Sequence, residues 1–173
     1  MAENKGRKIL VAVDDGEESA YALSWCLNNF ISPRNSEDTL ILLFAKKPLA
    51  VYSAMDSTGY IFSSSIIASM ERYGNEVASR VMEKATRICK EFSNEVKVET
   101  MVENGDPRDV ICEVAERLKV DFLVMGSHGY GLIKRAFLGS VSSHCAQNVT
   151  CPVLIVKNPK PDAAAAAAAA PHH

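Results

Sequence analysis

Residues 121–126 read DFLVMG, and the segment that begins at the last of them, residues 126–140, reads GSHGYGLIKRAFLGS. A short apolar run that stops at a glycine is typical of a strand buried on both faces of a parallel sheet. Gly139 and Ser140 lead into a stretch that predicts a short helix over residues 140–148. This part of the chain therefore predicts a buried strand, a long excursion and the N-terminus of a helix.

The same alternation of strand and helix extends along the chain on both sides of this stretch. The other predicted strands are three apolar runs and one alternating run, at residues 8–13, 39–45, 152–156 and 96–102. Predicted helices begin near Glu17, Ser65 and Asp106, and the first ends before Pro33. Strands that alternate with helices imply right-handed crossovers and a sheet covered on both faces. The predicted fold class is α/β, an open five-stranded parallel sheet, Rossmann-like, with the alternating strand 96–102 at an edge.

The helical stretches carry apolar residues at three- and four-residue spacing, which predicts the faces turned toward the sheet. Asp106 is predicted to be the N-cap of the third helix and Pro107 its first residue, because aspartate accepts backbone hydrogen bonds there and proline fits that position. Gly74 is expected to weaken the second helix locally. The predicted buried faces are Ala20, Leu23, Leu27 and Phe30 in the first helix, Val77, Val81, Ala85 and Ile88 in the second, and Val110, Ile111, Val114, Ala115 and Leu118 in the third.

The composition favours one domain that works away from membranes and nucleic acids. Among 173 residues, 19 are basic and 21 acidic, with a formal net charge of -2 and no basic stripe, so no nucleic-acid partner is expected. No apolar run approaches the roughly 18 residues that span a bilayer, and no signal peptide is recognised. Five widely spaced cysteines without a CxxC pair indicate reduced thiols and a cytoplasmic protein. We expect a single domain over residues 1–160, with the alanine-rich stretch 161–173 a tail outside the natural fold.

The segment 126–140 has the features of an anion-binding site. Glycine lets the backbone approach a ligand and permits positive φ, and a helix that begins near Ser140 offers free N–H groups at the positive end of its dipole. In parallel sheets, ligands bind beyond the carboxyl ends of the strands where the strand order reverses, which points to Asp14 and to Gly126. The alternative is a pair of turn glycines followed by a serine N-cap. The segment is neither a P-loop, since no GKS or GKT follows, nor a dinucleotide fingerprint, which belongs after the first strand.

The pattern G-x2-G-x9-G-S over residues 126–140, together with VAVD at 11–14, resembles the ATP-binding branch of the universal stress protein family. Further matching stretches are GDP at 105–107, VDFLVMGSHG at 120–129 and CPVLIV at 151–156. The resemblance covers residues 8–156 and is closest to single-domain plant members. Family members that bind ATP often carry proline where this chain has Ala12.

The resemblance implies the strand order 3-2-1-4-5 and an adenine nucleotide, either ATP or ADP or AMP, held beyond the strand ends. It implies that Asp14 reaches the ribose or a phosphate-bound Mg²⁺. It also implies a homodimer through the last strand, Val153–Val156. The residues that the resemblance assigns to the nucleotide are Ala12, Val13 and Asp14 for the adenosine, Ala45 with its backbone for the adenine edge, and Met125, Gly126, Gly129, Gly139, Ser140 and Val141 for the ribose and phosphates.

Several functions stay open at this point. The leading hypothesis is a stress-response regulatory or binding module in which bound nucleotide changes the long loop 46–64 or a dimer surface. A second hypothesis is weak ATP hydrolysis, although Asp14 is the one acidic metal ligand in view and neither an arginine finger nor a GxSxG elbow is evident, so no catalytic residue is assigned. A nucleotide-free, chaperone-like dimer and an electron-transfer flavoprotein-like domain are further alternatives.

Five other side chains near these elements have two interpretations each. His128 is either a phosphate neighbour or base or, as we favour, a solvent-facing loop residue. Tyr21 and Trp25 are expected to pack in the core and not to stack on a base. Lys134 and Arg135 either close over the phosphates or are simply solvated.

Overall fold

A parallel sheet runs through the computed structural model of the chain, which describes residues 5–34, 37–48, 64–129 and 138–159. Its strands within those residues are β1 (Lys8–Ala12), β2 (Thr39–Lys46), β3 (Lys97–Asn104), β4 (Phe122–Gly126) and β5 (Val153–Val156). They lie in the order β3-β2-β1-β4-β5, and every neighbouring pair is parallel. The predicted fold class and strand order are confirmed, and β3 lies at an edge as its alternating pattern predicts.

The helices of the described residues are α1 (Glu17–Phe30), α2 (Ser64–Phe92), α3 (Pro107–Leu118) and α4 (Ser140–Asn148). Side chains alternate between the two faces along each strand. Ile9 and Val11 therefore join one hydrophobic cluster with α1 and α2, whereas Leu10 joins a second cluster with α3 and α4. The sheet is thus buried on both faces, which is why its central strands read as continuous apolar runs.

The buried faces of α1 and α2 differ in part from those predicted. The buried hydrophobic residues are Ala22, Leu23, Cys26 and Leu27 in α1 and Ala78, Val81, Ala85 and Cys89 in α2. The assignments of Ala20 and Phe30 are wrong, because Ala20 is half-buried and Phe30 is 37% exposed, and Val77 and Ile88 are only partly buried. Apolar residues surround more than one side of each helix, so spacing alone does not choose the side that packs. The face of α3 is buried as predicted, with Leu118 partly buried.

β1 and β2 end at different heights, and this difference shapes the upper edge of the sheet. β1 ends at Ala12, one residue earlier than predicted, where it pairs with Leu43. β2 continues to Lys46, three residues beyond that last pair. The end of β2 therefore rises above β1 and leaves part of its backbone facing open space.

α2 continues through Gly74 without interruption. A Cβ at this position would lie 2.8 Å from Cε of Lys46, whose Nζ donates a hydrogen bond of 2.7 Å to Oδ1 of Asn75. The bare glycine backbone thus gives the Lys46 side chain room to cross the helix. The residue that the sequence marks as a weak point in α2 is a point of close approach between α2 and the end of β2.

α3 begins as predicted, with Asp106 as its N-cap and Pro107 as its first residue. The Asp106 carboxylate accepts a hydrogen bond of 2.9 Å from the backbone N–H of Arg108 and two more from the Arg108 guanidinium. The side-chain and backbone hydrogen bonds from Arg108 lower the pKa of Asp106 to about 2. Gly105, just before the cap, has φ +144, a conformation that favours glycine.

Replacing Asp106 with alanine is expected to lower the free energy of unfolding by about 1 kcal/mol near neutral pH, the usual cost of losing an aspartate N-cap. Because the folded pKa lies below the ordinary value, this stabilisation is complete above about pH 4 and is lost as the pH falls toward about 2. The carboxylate is 40% exposed, so solvent screening keeps the effect near the capping value.

Urea denaturation of wild type and Asp106→Ala across this pH range measures the effect. Asp106→Asn is the matched control, because asparagine is an equally good N-cap without the charge. It should retain most of the stability near neutral pH. A gap between wild type and Asp106→Ala that stays constant down to about pH 2 would contradict the assignment.

The five cysteines carry free thiols, as expected. Burial raises the pKa of Cys26 to about 12, of Cys89 to about 11 and of Cys145 to about 12. These thiols are therefore unreactive at neutral pH and pack as small apolar side chains. Across the described ranges, no helix combines the length and the apolar character that crossing a membrane requires.

Candidate functional site

A cavity of about 580 Å³ opens beyond the carboxyl ends of β1, β2 and β4. α2 borders it from one face of the sheet, and α3 with the N-terminus of α4 borders it from the other. It lies where the strand order reverses between β1 and its neighbours β2 and β4, the place at which open α/β sheets bind ligands. All ten residues predicted for the site line this one cavity: Ala12, Val13, Asp14, Ala45, Met125, Gly126, Gly129, Gly139, Ser140 and Val141.

The turn after β1 holds Asp14 at the cavity. Its Oδ1 accepts hydrogen bonds from the backbone N–H of Gly16 at 2.8 Å and from Oγ of Ser19 at 2.9 Å. Ser19, which is buried, also accepts from the N–H of Asp14 at 3.1 Å. The N-cap of α1 is Gly16, with no side-chain cap bond, so Asp14 acts as a turn residue and does not cap the helix. Sequence reasoning missed Ser19, whose buried hydroxyl fixes the orientation of the Asp14 carboxylate.

Ala45 presents backbone polar groups where β1 has already ended. The N–H of Val13 donates to the carbonyl of Leu43 at 2.9 Å, the last such bond between the two segments. Alternate residues of a strand direct their N–H and C=O to the same side, so those of Ala45 face the same way as the Leu43 carbonyl. The Lys46 carbonyl points to the other side and accepts from the N–H of Gly105 at 2.9 Å. Within the described residues, Ala45 makes no backbone hydrogen bond toward β1, so a donor and an acceptor lie side by side at the cavity.

The N-terminus of α4 borders the cavity through its first residues. Gly139 is the N-cap, with φ -69 and ψ 165 and no side-chain cap bond, so the alternative of a serine N-cap is wrong. Ser140 is exposed, and across the described part of the chain its hydroxyl has no hydrogen-bond partner. Ser142 is different: it is buried, and its Oγ donates to the carbonyls of Ser127 at 2.8 Å and Gly139 at 3.1 Å. Ser140 therefore brings an exposed hydroxyl to the cavity, and Ser142 braces the loop.

The glycines of this segment that the structure describes do not have positive φ, although glycine permits it. Gly105 is the one glycine with positive φ in the described ranges. Gly126 is instead a point of close packing, because a Cβ there would lie 3.0 Å from the backbone carbonyl carbon of Glu18. Gly139 has an ordinary extended conformation. The absence of a side chain, and not an unusual backbone, distinguishes Gly126 and Gly139.

Ser127 ties the start of the segment to its surroundings. Its Oγ donates to Oε2 of Glu18 at 3.3 Å, and its N–H donates to the carbonyl of Val156 at 3.1 Å. Oε2 of Glu18 also accepts from the N–H of Asn158 at 3.3 Å. One carboxylate of α1 thus holds both the beginning of the glycine segment and the chain that leaves β5.

The cavity also has lining residues that sequence reasoning did not assign. On its α2 side Arg80 pairs with Asp15 at 2.8 Å. His128 was expected to face solvent; it is half-buried, lines the cavity, and its Nδ1 lies 3.1 Å from Oγ of Ser127. The remaining unassigned lining residues include Lys46, Lys47, Tyr73, Val77, Pro107 and Ile111. Among these lining residues, His128 and Pro107 belong to stretches that the family resemblance had marked, and the others do not.

The other interpretations divide between confirmed and untested. Tyr21 and Trp25 pack against the core under α1 and α2, as predicted. Lys134, Arg135 and most of the loop 46–64 lie outside the described residues. Among the residues that are described, no three His, Cys, Asp or Glu side chains are grouped so that they could hold a metal ion. Asp14 fits a metal ion only as a single protein ligand, with phosphate oxygens as the others, which is the usual way in which Mg²⁺ accompanies a nucleotide.

The fold and the cavity define an open α/β protein with a cavity at a topological switch point. Residues 6–157 match the model of the universal stress protein family, and the chain belongs to that family. It is 30% identical over 165 residues to a universal stress protein A-like protein of Arabidopsis thaliana, covering 87% of this chain and 89% of that protein.

Two solved structures of the family are similar to the chain and contain adenine nucleotides. The structure of an Arabidopsis thaliana family member with AMP bound has 25% sequence identity and a TM-score of 0.64, covering 92% of this chain and 98% of that one. The structure of a universal stress protein in complex with cAMP has 25% identity and a TM-score of 0.62, covering 88% of this chain and 98% of that one.

Proposed function

We propose that this protein binds an adenine nucleotide, ATP, ADP or AMP, in the cavity above β1, β2 and β4. In the proposal it acts as a nucleotide-dependent regulatory or binding module of the cytoplasmic stress response. The observation that carries the proposal is that the exposed backbone of Ala45 and the N-terminus of α4 border the same cavity. Relatives of the chain that were solved with AMP and with cAMP support it.

The end of the cavity beside β2 suits an adenine ring. Ala45 offers one N–H donor and one C=O acceptor side by side. Adenine carries the complementary acceptor N1 and donor N6 on one edge, whereas guanine carries a donor and an acceptor in the reverse order. A site that presents this pair should reject guanine, because its own polar groups would then be left unpaired.

The end of the cavity beside β4 suits the phosphates. The exposed N–H groups and the positive dipole end of α4 favour an anion, and the Ser140 hydroxyl adds a donor. Gly129 and Gly139 line the same end and allow close approach of the ligand to the backbone. Asp14 lies between the two ends in this arrangement, where its carboxylate would accept from the ribose hydroxyls or bind a phosphate-bound Mg²⁺.

The proposal extends to the oligomer and to the chemistry. β5 is an edge strand with apolar residues, so pairing of its Val153–Val156 edge with a second copy would cover it. No catalytic residue is proposed, because the role proposed for the described groups around the cavity is to bind and orient a nucleotide. The protein is proposed as a holder of nucleotide and, at most, a slow hydrolase.

Calorimetric titration of the purified protein with ATP, AMP and GMP tests the function. We expect ATP and AMP to bind with micromolar dissociation constants, and GMP to bind at least about tenfold more weakly. Absence of any heat at millimolar ATP and AMP would overturn the proposal in favour of a nucleotide-free dimer. Phosphate release from ATP faster than about one per second, the rate typical of enzymes, would instead favour the hydrolase.

A further inference from the structure

The α2 wall of the cavity lies outside every stretch on which the family resemblance rests. Tyr73, Gly74, Val77 and Arg80 form this wall. Tyr73 and Val77 are four residues apart on α2 and therefore lie on the same side of the helix, one turn from each other. They are the apolar part of the wall at the end of the cavity where Ala45 exposes its backbone.

Tyr73 is the most exposed large hydrophobic residue in the described part of the chain, with 66% of its surface accessible. Aromatic side chains usually bury most of their large apolar surface. A tyrosine ring that stays largely exposed beside a cavity is therefore unusual. The Lys46 side chain crosses α2 directly beside it, over Gly74, and is held there by Asn75. The cavity side of the helix therefore presents a ring beside an ordered aliphatic stem.

Pro107 and Ile111 of α3 line the cavity from the opposite face of the sheet. Apolar walls from α2 and α3 thus enclose the same end from two sides, and the polar edge of Ala45 forms its floor. A flat heteroaromatic ring has apolar faces and a polar edge, so its surface is complementary to this end of the cavity.

We propose that Tyr73 stacks on the base of the bound nucleotide and is a specificity-determining residue for a purine ring. This inference rests on the proposed function and adds to it a recognition element that no motif of the family resemblance includes. Stacking acts on the face of the base, whereas Ala45 acts on its edge. The two contacts together select a large aromatic base of adenine type, because purines offer more stacking surface than pyrimidines.

The alternative for Tyr73 is a role in a protein interface. Met70 lies one turn and Ile66 two turns before it on the same side of α2, and both are exposed large hydrophobic residues. Neither lines the cavity, whereas Tyr73 does. Met70→Ala is therefore a matched control, since it removes an exposed apolar side chain from the same helix face without touching the cavity.

Wild type, Tyr73→Ala, Tyr73→Phe and Met70→Ala are titrated calorimetrically with AMP, CMP and ribose 5-phosphate. We expect Tyr73→Ala to weaken AMP binding about 10- to 100-fold, to narrow the preference for AMP over CMP, and to leave ribose 5-phosphate unchanged. Tyr73→Phe and Met70→Ala should stay within about threefold of wild type for AMP.

The outcomes separate this inference from the function on which it rests. Wild type that binds no AMP overturns both. Wild type that binds AMP, with Tyr73→Ala binding it equally well, overturns the stacking role alone. The stacking role is also overturned if Tyr73→Ala loses affinity for AMP and ribose 5-phosphate equally, because ribose 5-phosphate has no base. It is likewise overturned if the substitution changes only the sedimentation of the oligomer.

Discussion

Alanine at position 126 is expected to lower the free energy of unfolding by about 1 to 3 kcal/mol, the usual cost of forcing extra atoms into a packed interior. The new Cβ would lie 3.0 Å from the carbonyl carbon of Glu18 and 3.1 Å from its oxygen. These are backbone atoms of α1, so no side-chain rotation relieves the contact. α1 must move away from the end of β4, and the packing of Leu23 and Leu27 beneath it must loosen.

Gly74→Ala is the matched control for this experiment, because the same methyl group is added where the neighbour can move. Its Cβ would meet Cε of Lys46 at 2.8 Å, near the end of a flexible side chain. Alanine is also the better helix former by about 1 kcal/mol, so Gly74→Ala should be neutral or stabilising. Urea denaturation of wild type and the two variants measures the sign and the size of each change in the free energy of unfolding. A Gly126→Ala protein as stable as wild type would show that α1 does not lie against β4 in the way described.

The expected loss of stability in Gly126→Ala gives a structural role to part of the glycine spacing that first indicated a site. Gly126 is predicted to be essential for the approach of α1 to β4, whether or not a ligand is present. Its neighbour Ser127 is likewise engaged with Glu18 and Val156. Gly126 and Ser127 therefore serve the fold, and Gly129, Gly139 and Ser140 are the part of the segment that the proposed function assigns to a phosphate.

The fold could be predicted from the sequence because its signals are local and agree with one another. A strand buried on both faces must be apolar throughout, as β1 and β4 are, and a helix N-terminus such as that of α3 needs its own cap within one turn. The face of α1 could be predicted only in part, since apolar residues occupy several of its sides and the choice between Ala20 and Ala22 depends on packing against the sheet.

The floor of the site could be predicted for the same reason, and its α2 wall could not. Asp14 and Gly126 come at strand ends, and parallel topology brings strand ends to one edge of the sheet, whereas Ala45 was implied by the family resemblance. Tyr73 and Arg80 reach the cavity only because a long helix crosses above the end of β2, and no spacing in the sequence marks them. The roles of Ser19 and Ser142 were also hidden, because a serine that braces a loop looks like any other serine.

Aspartate at position 140 is expected to weaken AMP binding at least 100-fold and to leave the fold as stable as wild type or more so. Ser140 is the first residue of α4, and a carboxylate in the first turn of a helix stabilises it by about 0.3 to 1 kcal/mol. The same negative charge would occupy the place proposed for the phosphate. Two like charges about 4 Å apart near a protein surface repel by about 4 kcal/mol. A repulsion of that size corresponds to a loss of affinity of more than about 100-fold.

In Ser140→Asp the affinity for AMP is expected to fall while the stability is kept or rises. A substitution that only disrupted the fold would lower both, so the experiment separates the two explanations. Ser143→Asp is the matched control: it adds the same charge in the same helix, one turn further on, at a residue that does not line the cavity. It should weaken AMP binding far less. Adenosine, which has no phosphate, should bind Ser140→Asp within about threefold of wild type, because only the charge of the ligand is opposed. Equal affinities of wild type and Ser140→Asp for AMP would place the phosphate elsewhere and remove the N-terminus of α4 from the site.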